Sequence, residues 1–328
     1  MNVPPDSPAP NPGTRSLLLG YHTMGCVGLE ALRRHGFEVA AVVTHRDDPN
    51  EEVWWESVAE RARSGGTPVH FAAKSDPKTP AFAELVGSYR PDFIFSFYFR
   101  YMLPEAVLRL ARRGALNLHG SLLPRYRGRA PVNWVLVNGE PETGVSLHYM
   151  VAKPDAGDLV GQERVEIAFD DTARTLYGKL EKAAGRLLDR TLPLLKEGRA
   201  PSMAMNLAEG SYFGRRTPDD GRFAWTWPAL RIYNLVRAVT HPYPGAFTSW
   251  AGRRLFVWWA LPQARRVEAV PGTVVGVTPQ GVEVTTGDGV LLVSRCQLEG
   301  EGEMDAHVFS RAHRIASGSR LDEAGENQ

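Results

Sequence analysis

Asn117, His119 and Asp155 carry three complementary kinds of chemistry: an amide that donates hydrogen bonds, an imidazole that titrates near neutral pH, and a carboxylate. Asn117 and His119 stand two positions apart in the stretch Asn117-Leu118-His119-Gly120-Ser121-Leu122-Leu123-Pro124. On an extended strand that spacing turns both side chains to one face. Asp155 lies in Lys153-Pro154-Asp155-Ala156-Gly157, which is good turn chemistry. A second strand ending there could deliver the carboxylate to His119. Such a set suits transfer of an acyl group to an amine. The amide can donate to the carbonyl oxygen as charge builds on it, and the imidazole can move a proton.

The elements needed to hold these residues are legible in the flanking sequence. Leu17-Leu18-Leu19-Gly20, residues 39–43 and 68–71, and Phe93-Ile94-Phe95-Ser96-Phe97 are short apolar runs. Helical patterns over 27–35, 53–63, 81–88 and 105–113 alternate with them. Strands alternating with helices predict an α/β layer fold with a Rossmann-like parallel sheet, which places ligands at the carboxyl ends of its strands. Half-buried strands follow over 145–150 and 162–167, and then a long amphipathic helix over 172–197, interrupted at Pro193. After one more helix over 230–239, short strands separated by Gly turns predict a small C-terminal β-barrel, OB-like in kind. The expected division is a disordered tail over 1–16, a catalytic domain over 17–205, a β-barrel domain over 206–317 and a frayed tail over 318–328.

Apolar residues make up 43% and charged residues 23% of the 328, an ordinary balance for a folded soluble chain, and the net charge is +1. From position 215 onward there are 13 Arg, no Lys and 12 Asp plus Glu, so that region is not a strongly basic nucleic-acid surface. Cys26 and Cys296 are the two cysteines, too few for a disulfide framework or a metal-ligand cluster, and they fit a reducing cytoplasm. No apolar run is long enough for a membrane span.

Other features have an ordinary reading beside a functional one. His22-Thr23-Met24-Gly25-Cys26-Val27-Gly28 follows the first strand, but it is neither G-x-G-x-x-G nor a P-loop; a tight strand-to-helix turn accounts for it. Arg215 and Arg216, in Gly214-Arg215-Arg216-Thr217, are either a solvated loop tip or an anion clamp that would hold a diphosphate. Trp225, Trp227, Trp250, Trp258 and Trp259 suit packing around a small barrel.

The stretch from Asn117 to Pro124, with Asp155 downstream, resembles the catalytic signature of the 10-formyltetrahydrofolate-dependent formyltransferases. A closer likeness extends from Leu17 to about Leu321. Tyr21-His22-Thr23-Met24-Gly25-Cys26, Phe95-Ser96-Phe97-Tyr98, the run from Tyr126 to Glu140 and Phe213-Gly214-Arg215-Arg216-Thr217-Pro218-Asp219-Asp220 look like the formyltransferase domains of polymyxin-resistance proteins. Those domains act on UDP-4-amino-4-deoxy-L-arabinose.

The resemblance implies a folate-dependent N-formyltransferase for a sugar nucleotide, with 10-formyltetrahydrofolate as co-substrate, no metal and no nucleic-acid partner. Methionyl-tRNA formyltransferase is the nearest enzymatic alternative. The chain lacks the Gly-rich fingerprint of the family's second, NAD-dependent domain, so the implied activity is formyl transfer alone. It also implies Asn117 as the transition-state stabiliser, His119 as the proton-transfer residue and Asp155 as its orienting acid. Tyr101, Met102, Leu103, Arg129, Val151, Ala152, Lys153, Pro154 and Asp155 would line the folate pocket. Arg215 and Arg216 are the candidates for the sugar nucleotide's diphosphate.

Overall fold

The computed structural model describes residues 13–49 and 51–321. The chain runs through β1 (Arg15–Gly20), α1 (His22–Arg34), β2 (Glu38–Thr44), α2 (Val58–Ser64), β3 (Val69–Phe71), α3 (Pro80–Ser88), β4 (Phe93–Phe97), α4 (Glu105–Leu108) and β5 (Gly114–His119). It continues through β6 (Arg127–Gly128), α5 (Pro131–Val137), β7 (Glu142–Tyr149), β8 (Leu159–Glu166), α6 (Ala173–Glu197), β9 (Tyr212–Phe213) and α7 (Ala229–Val239). The last part holds β10 (Ala246–Trp250), β11 (Arg253–Gln263), β12 (Val274–Thr278), β13 (Gly281–Thr285), β14 (Val290–Leu298), β15 (Met304–Asp305) and α8 (Ala306–Ala312).

Two compact units result. Among the described residues, one takes 13–127 with 144–165 and 179–212; the other takes 128–143, 166–178 and 213–321. The chain passes repeatedly between them, whereas the sequence pattern predicts one boundary near 205. The segments 128–143 and 166–178 join the second unit through specific bonds: Asn133 Nδ2 donates to the Ala238 carbonyl at 2.8 Å and Arg237 Nη1 to that of Ala168 at 3.2 Å.

The first unit is built on a sheet of order β3-β2-β1-β4-β5-β7-β8. The first five strands are parallel. β1 and β4 are buried along almost their whole length, which is why they read as continuous apolar runs rather than alternating ones. Leu17, Leu19, Ala41, Val43, Phe82, Val86, Ile94, Val107 and Leu108 form one core cluster beneath the helices. Each large side chain in it is worth roughly 1.5–3 kcal/mol of burial.

β7 runs antiparallel to β5, a departure from the parallel order of the neighbouring strands. The register sets Asn117 opposite His148 and His119 opposite Ser146. Opposed residues of an antiparallel pair project to the same face, so β7 adds a His and a Ser to the face that carries Asn117 and His119.

Four other expectations shift. α1 begins at His22, five residues before the expected start, because its glycines serve packing. A side chain at Gly25 would meet the Gly20 backbone at 3.2 Å, and one at Gly28 would meet the Phe97 ring at 1.9 Å. α2 is shortened to Val58–Ser64 because Ser57 caps it, accepting from the Glu60 N–H. α4 stops at Leu108 rather than near 113. Pro193 does not end α6, whose buried Leu187, Leu188, Leu192 and Leu195 anchor the last turns.

Of the tail expected over 1–16, residues 1–12 lie outside the described residues. Arg15 and Ser16 already belong to β1, with the Arg15 N–H on Asp92 Oδ2 at 2.8 Å. Of the tail expected over 318–328, residues 322–328 lie outside them. Leu321 is buried and its N–H donates to the Gly272 carbonyl at 2.8 Å.

The second unit carries an antiparallel sheet of order β10-β11-β14-β13-β12, with β15 on β14. Among the described residues no helix is long and apolar enough to cross a membrane.

Candidate active site

Asn117 and His119 lie in the last three residues of β5, at its carboxyl end. The chain beyond is held by a hydrogen-bond scaffold. Ser146 Oγ, on β7, donates to the Ser121 carbonyl at 2.6 Å and accepts from the Leu123 N–H at 3.0 Å. Gln162 Nε2, on β8, donates to the Leu123 carbonyl at 2.8 Å. Ser121 Oγ donates to the Arg125 carbonyl at 2.7 Å. These bonds lead the chain to Tyr126, a non-glycine residue in the left-handed region at φ 57°. Its carbonyl lies 2.7 Å from His119 Nε2.

A carbonyl only accepts, so Nε2 of His119 carries the hydrogen. In the neutral ring the lone pair is therefore on Nδ1. That nitrogen faces Asp155 Oδ1 at 3.7 Å, beyond hydrogen-bond distance but within strong electrostatic reach. His119 is buried and the Asp155 side chain is 13% exposed. The Tyr126 carbonyl therefore orients the His119 ring, and the Asp155 carboxylate supplies charge beside it.

Asp155 reaches this position through local backbone constraints. It sits at φ 48°, in the left-handed region. Two residues later a side chain at Gly157 would lie 2.1 Å from the Tyr149 carbonyl, so glycine lets the loop close against the end of β7. The Tyr149 N–H donates to the Asp158 carbonyl at 2.9 Å and fastens the return.

His148 completes the cluster and was not singled out from the sequence. Its Nδ1 lies 2.8 Å from the Tyr149 carbonyl, its Nε2 3.2 Å from Asn117 Nδ2 and 3.5 Å from Asp155 Oδ1. The structure thus brings Asn117, His119 and Asp155 into one cluster with His148 as the connecting member. Alternation in 145–150 marked a strand, but only its register against β5 reveals that His148 faces Asn117.

The residues expected to line the folate pocket lie in different parts of the fold. Val151 and Ala152 line a cleft of about 440 Å³ with Glu105, Leu108, Arg109, Gly114, Ala115, Tyr149 and Met150. Lys153 and Pro154 continue the same loop to Asp155. Tyr101, Met102 and Leu103 do not line that cleft. Tyr101 packs edge-on to His45 at 4.4 Å, Met102 is exposed, and Leu103 is buried in the core cluster. Arg129 falls in the second unit, where its N–H donates to the Phe213 carbonyl at 2.9 Å.

Arg215 and Arg216 also belong to the second unit. Their loop is tied to α5: Trp134 Nε1 donates to the Gly214 carbonyl at 3.1 Å, and the Trp134 and Phe213 rings are 5.0 Å apart. The Arg216 guanidinium lies 4.6 Å over the Trp134 ring and donates to the Asp220 carbonyl at 2.8 Å. Burial lowers its pKa, which marks a cation held where losing water has a cost. Arg215 is exposed.

Comparison with known proteins agrees with this architecture. The family model described as "Formyl transferase" matches residues 22–192, and "Formyl transferase, C-terminal domain" matches 215–314. Among solved structures, an N-formyltransferase from Helicobacter canadensis in complex with folinic acid and dTDP-3-aminofucose superposes with a TM-score of 0.65. The identity is 17%, over 87% of this chain and 99% of that one. WlaRD, a sugar 3N-formyl transferase, gives 0.63 at 16% identity, over 88% and 98%. A variant of HypX from Aquifex aeolicus gives 0.62 at 16% identity over 96% of this chain; the chain spans 50% of that one's length.

Proposed function

We propose that this chain, which belongs to the formyl transferase family, moves a formyl group from 10-formyltetrahydrofolate to the amine of a sugar nucleotide. The observation that carries the reading is the fixed tautomer of His119: Nε2 is committed to Tyr126, which leaves Nδ1 as a base beside a carboxylate. UDP-4-amino-4-deoxy-L-arabinose is the substrate suggested by the likeness across the Tyr126–Glu140 and Phe213–Asp220 runs. The Helicobacter enzyme in complex with folinic acid and dTDP-3-aminofucose, and WlaRD in the presence of dTDP, support an amino-sugar nucleotide as the substrate class.

The folate supplies the formyl carbon and, as its N10 departs, the leaving nitrogen. The chain's own residues perform the remaining steps. Asn117 Nδ2 has two hydrogens, one directed at His148 and one left for the formyl oxygen as it gains negative charge. His119 Nδ1 accepts the proton that the amine loses as the new C–N bond forms. Asp155 stabilises the resulting imidazolium, and the same proton then passes to the departing nitrogen. One C–N bond forms, one breaks, and the proton changes nitrogen.

The test is incubation with 10-formyltetrahydrofolate and, in parallel, UDP-4-amino-4-deoxy-L-arabinose, a dTDP-3-amino sugar and methionyl-tRNA. Mass spectrometry should show a formyl mass gain on an amino-sugar nucleotide. Robust formylation of methionyl-tRNA without amino-sugar turnover would overturn the proposal.

A further inference from the structure

We infer that His148 is a positioning residue for formyl transfer: its ring selects which end of the Asn117 amide faces the reacting carbonyl. The inference rests on the proposed role of Asn117 as donor to the formyl oxygen. An Asn side chain has two ends of nearly equal size and opposite polarity. Presented by its nitrogen, it stabilises the developing oxyanion; presented by its oxygen, it repels it. Something in the site must distinguish the two.

His148 can do so through its tautomer. Its Nδ1 is 2.8 Å from the Tyr149 carbonyl, which only accepts, so Nδ1 carries a hydrogen. In the neutral ring Nε2 then has a lone pair, which accepts from Asn117 Nδ2 at 3.2 Å. A protonated ring would set an N–H donor against that amide nitrogen, and the amide would have to turn over. His148 is 1% exposed, and Asn117 and His148 face each other across the β5–β7 ladder.

The same bond separates the two imidazoles that share Asp155. Oδ1 lies 3.5 Å from His148 Nε2 and 3.7 Å from His119 Nδ1, so distance alone does not choose between them. The His148 lone pair is occupied by Asn117, whereas the His119 lone pair is not committed by its bond to Tyr126. The proton released during transfer is thereby directed to His119.

Two measurements test this without depending on each other. In ¹⁵N-labelled wild-type protein, the His148 ring should show a protonated Nδ1 and an unprotonated Nε2 at neutral pH. An Nε2–H tautomer or an imidazolium there would overturn the inference whether or not the enzyme formylates sugars. In kinetics, His148→Leu should lower kcat by on the order of 10²-fold, as expected when a catalytic group is misplaced, with the KM for both substrates nearly unchanged. His148→Gln, whose carbonyl can reach the Nε2 position and accept from Asn117, should recover most of that loss. Equal losses in folded Leu and Gln variants, or a change confined to KM, would remove His148 from this role. Failure of the wild-type enzyme to formylate any amino sugar would instead count against the proposed function and leave the tautomer measurement to decide on His148.

Discussion

The bond from His119 Nε2 to the Tyr126 carbonyl, 2.7 Å long and spanning seven residues of chain, decides which nitrogen of the ring can act as a base. It leaves Nδ1 turned toward Asp155 Oδ1 at 3.7 Å. An imidazole held in this way has its tautomer set by the Tyr126 carbonyl, and the carboxylate adds negative charge beside the free nitrogen.

His119→Ala should reduce turnover by on the order of 10²–10⁴-fold, the range for removal of a general acid–base group. Asn117→Ala should cost about 10²–10³-fold in kcat, the usual effect of losing one oxyanion donor. Both are read from steady-state kinetics with a folded-state control. Near-wild-type turnover in either variant would remove that residue from the mechanism.

Asp155→Asn separates charge from shape. The amide is nearly isosteric and Tyr126 still orients His119, so the ring should stay in place. What is lost is the negative charge beside Nδ1. The rate should fall and the pH–rate profile should change form. A variant with both unaltered would show that the carboxylate only shapes the loop around Gly157.

Arg216 and Arg215 differ in a way the sequence does not show. Arg216 is fastened over Trp134 and to the Asp220 carbonyl, whereas Arg215 is exposed. A preorganised guanidinium loses less freedom on binding an anion. If this loop holds the diphosphate, Arg216→Ala should raise the sugar-nucleotide KM by about tenfold or more, corresponding to the roughly 1.5–3 kcal/mol of a shielded charged hydrogen bond. The folate KM should be nearly unchanged. If neither Arg216→Ala nor Arg215→Ala alters the sugar-nucleotide KM, the loop is no diphosphate clamp.

The parts of the fold readable from sequence are those set by local pattern. Phe93–Phe97 and Leu17–Leu19 are buried on both faces, and their unbroken apolar runs say so. Asn117 and His119 share a face because strand geometry has period two. Gly25 and Gly28 misled because glycine signals a loop by propensity, while here it admits close contact with Gly20 and Phe97 inside a helix. No local pattern marks His148, because its place opposite Asn117 depends on an antiparallel register formed across a long stretch of chain.

His45 supplies a stability prediction independent of catalysis. Its ring stacks on Phe99 at 4.4 Å, and its Nε2 accepts from the Arg100 N–H at 2.9 Å. Burial lowers its pKa from 6.5 to about 4, with the nearby Arg100 charge adding to the effect. The unfolded chain therefore binds this proton more readily than the native one. Stability from this group is complete above pH 6.5 and is lost as pH falls from there toward 4, a total on the order of 3 kcal/mol. His45→Gln can keep the acceptor for Arg100 without the titration. Urea midpoints measured between pH 7 and pH 4 should show the wild-type advantage over this variant shrinking across that window. An advantage that does not vary with pH would mean that His45 is not held neutral by the fold.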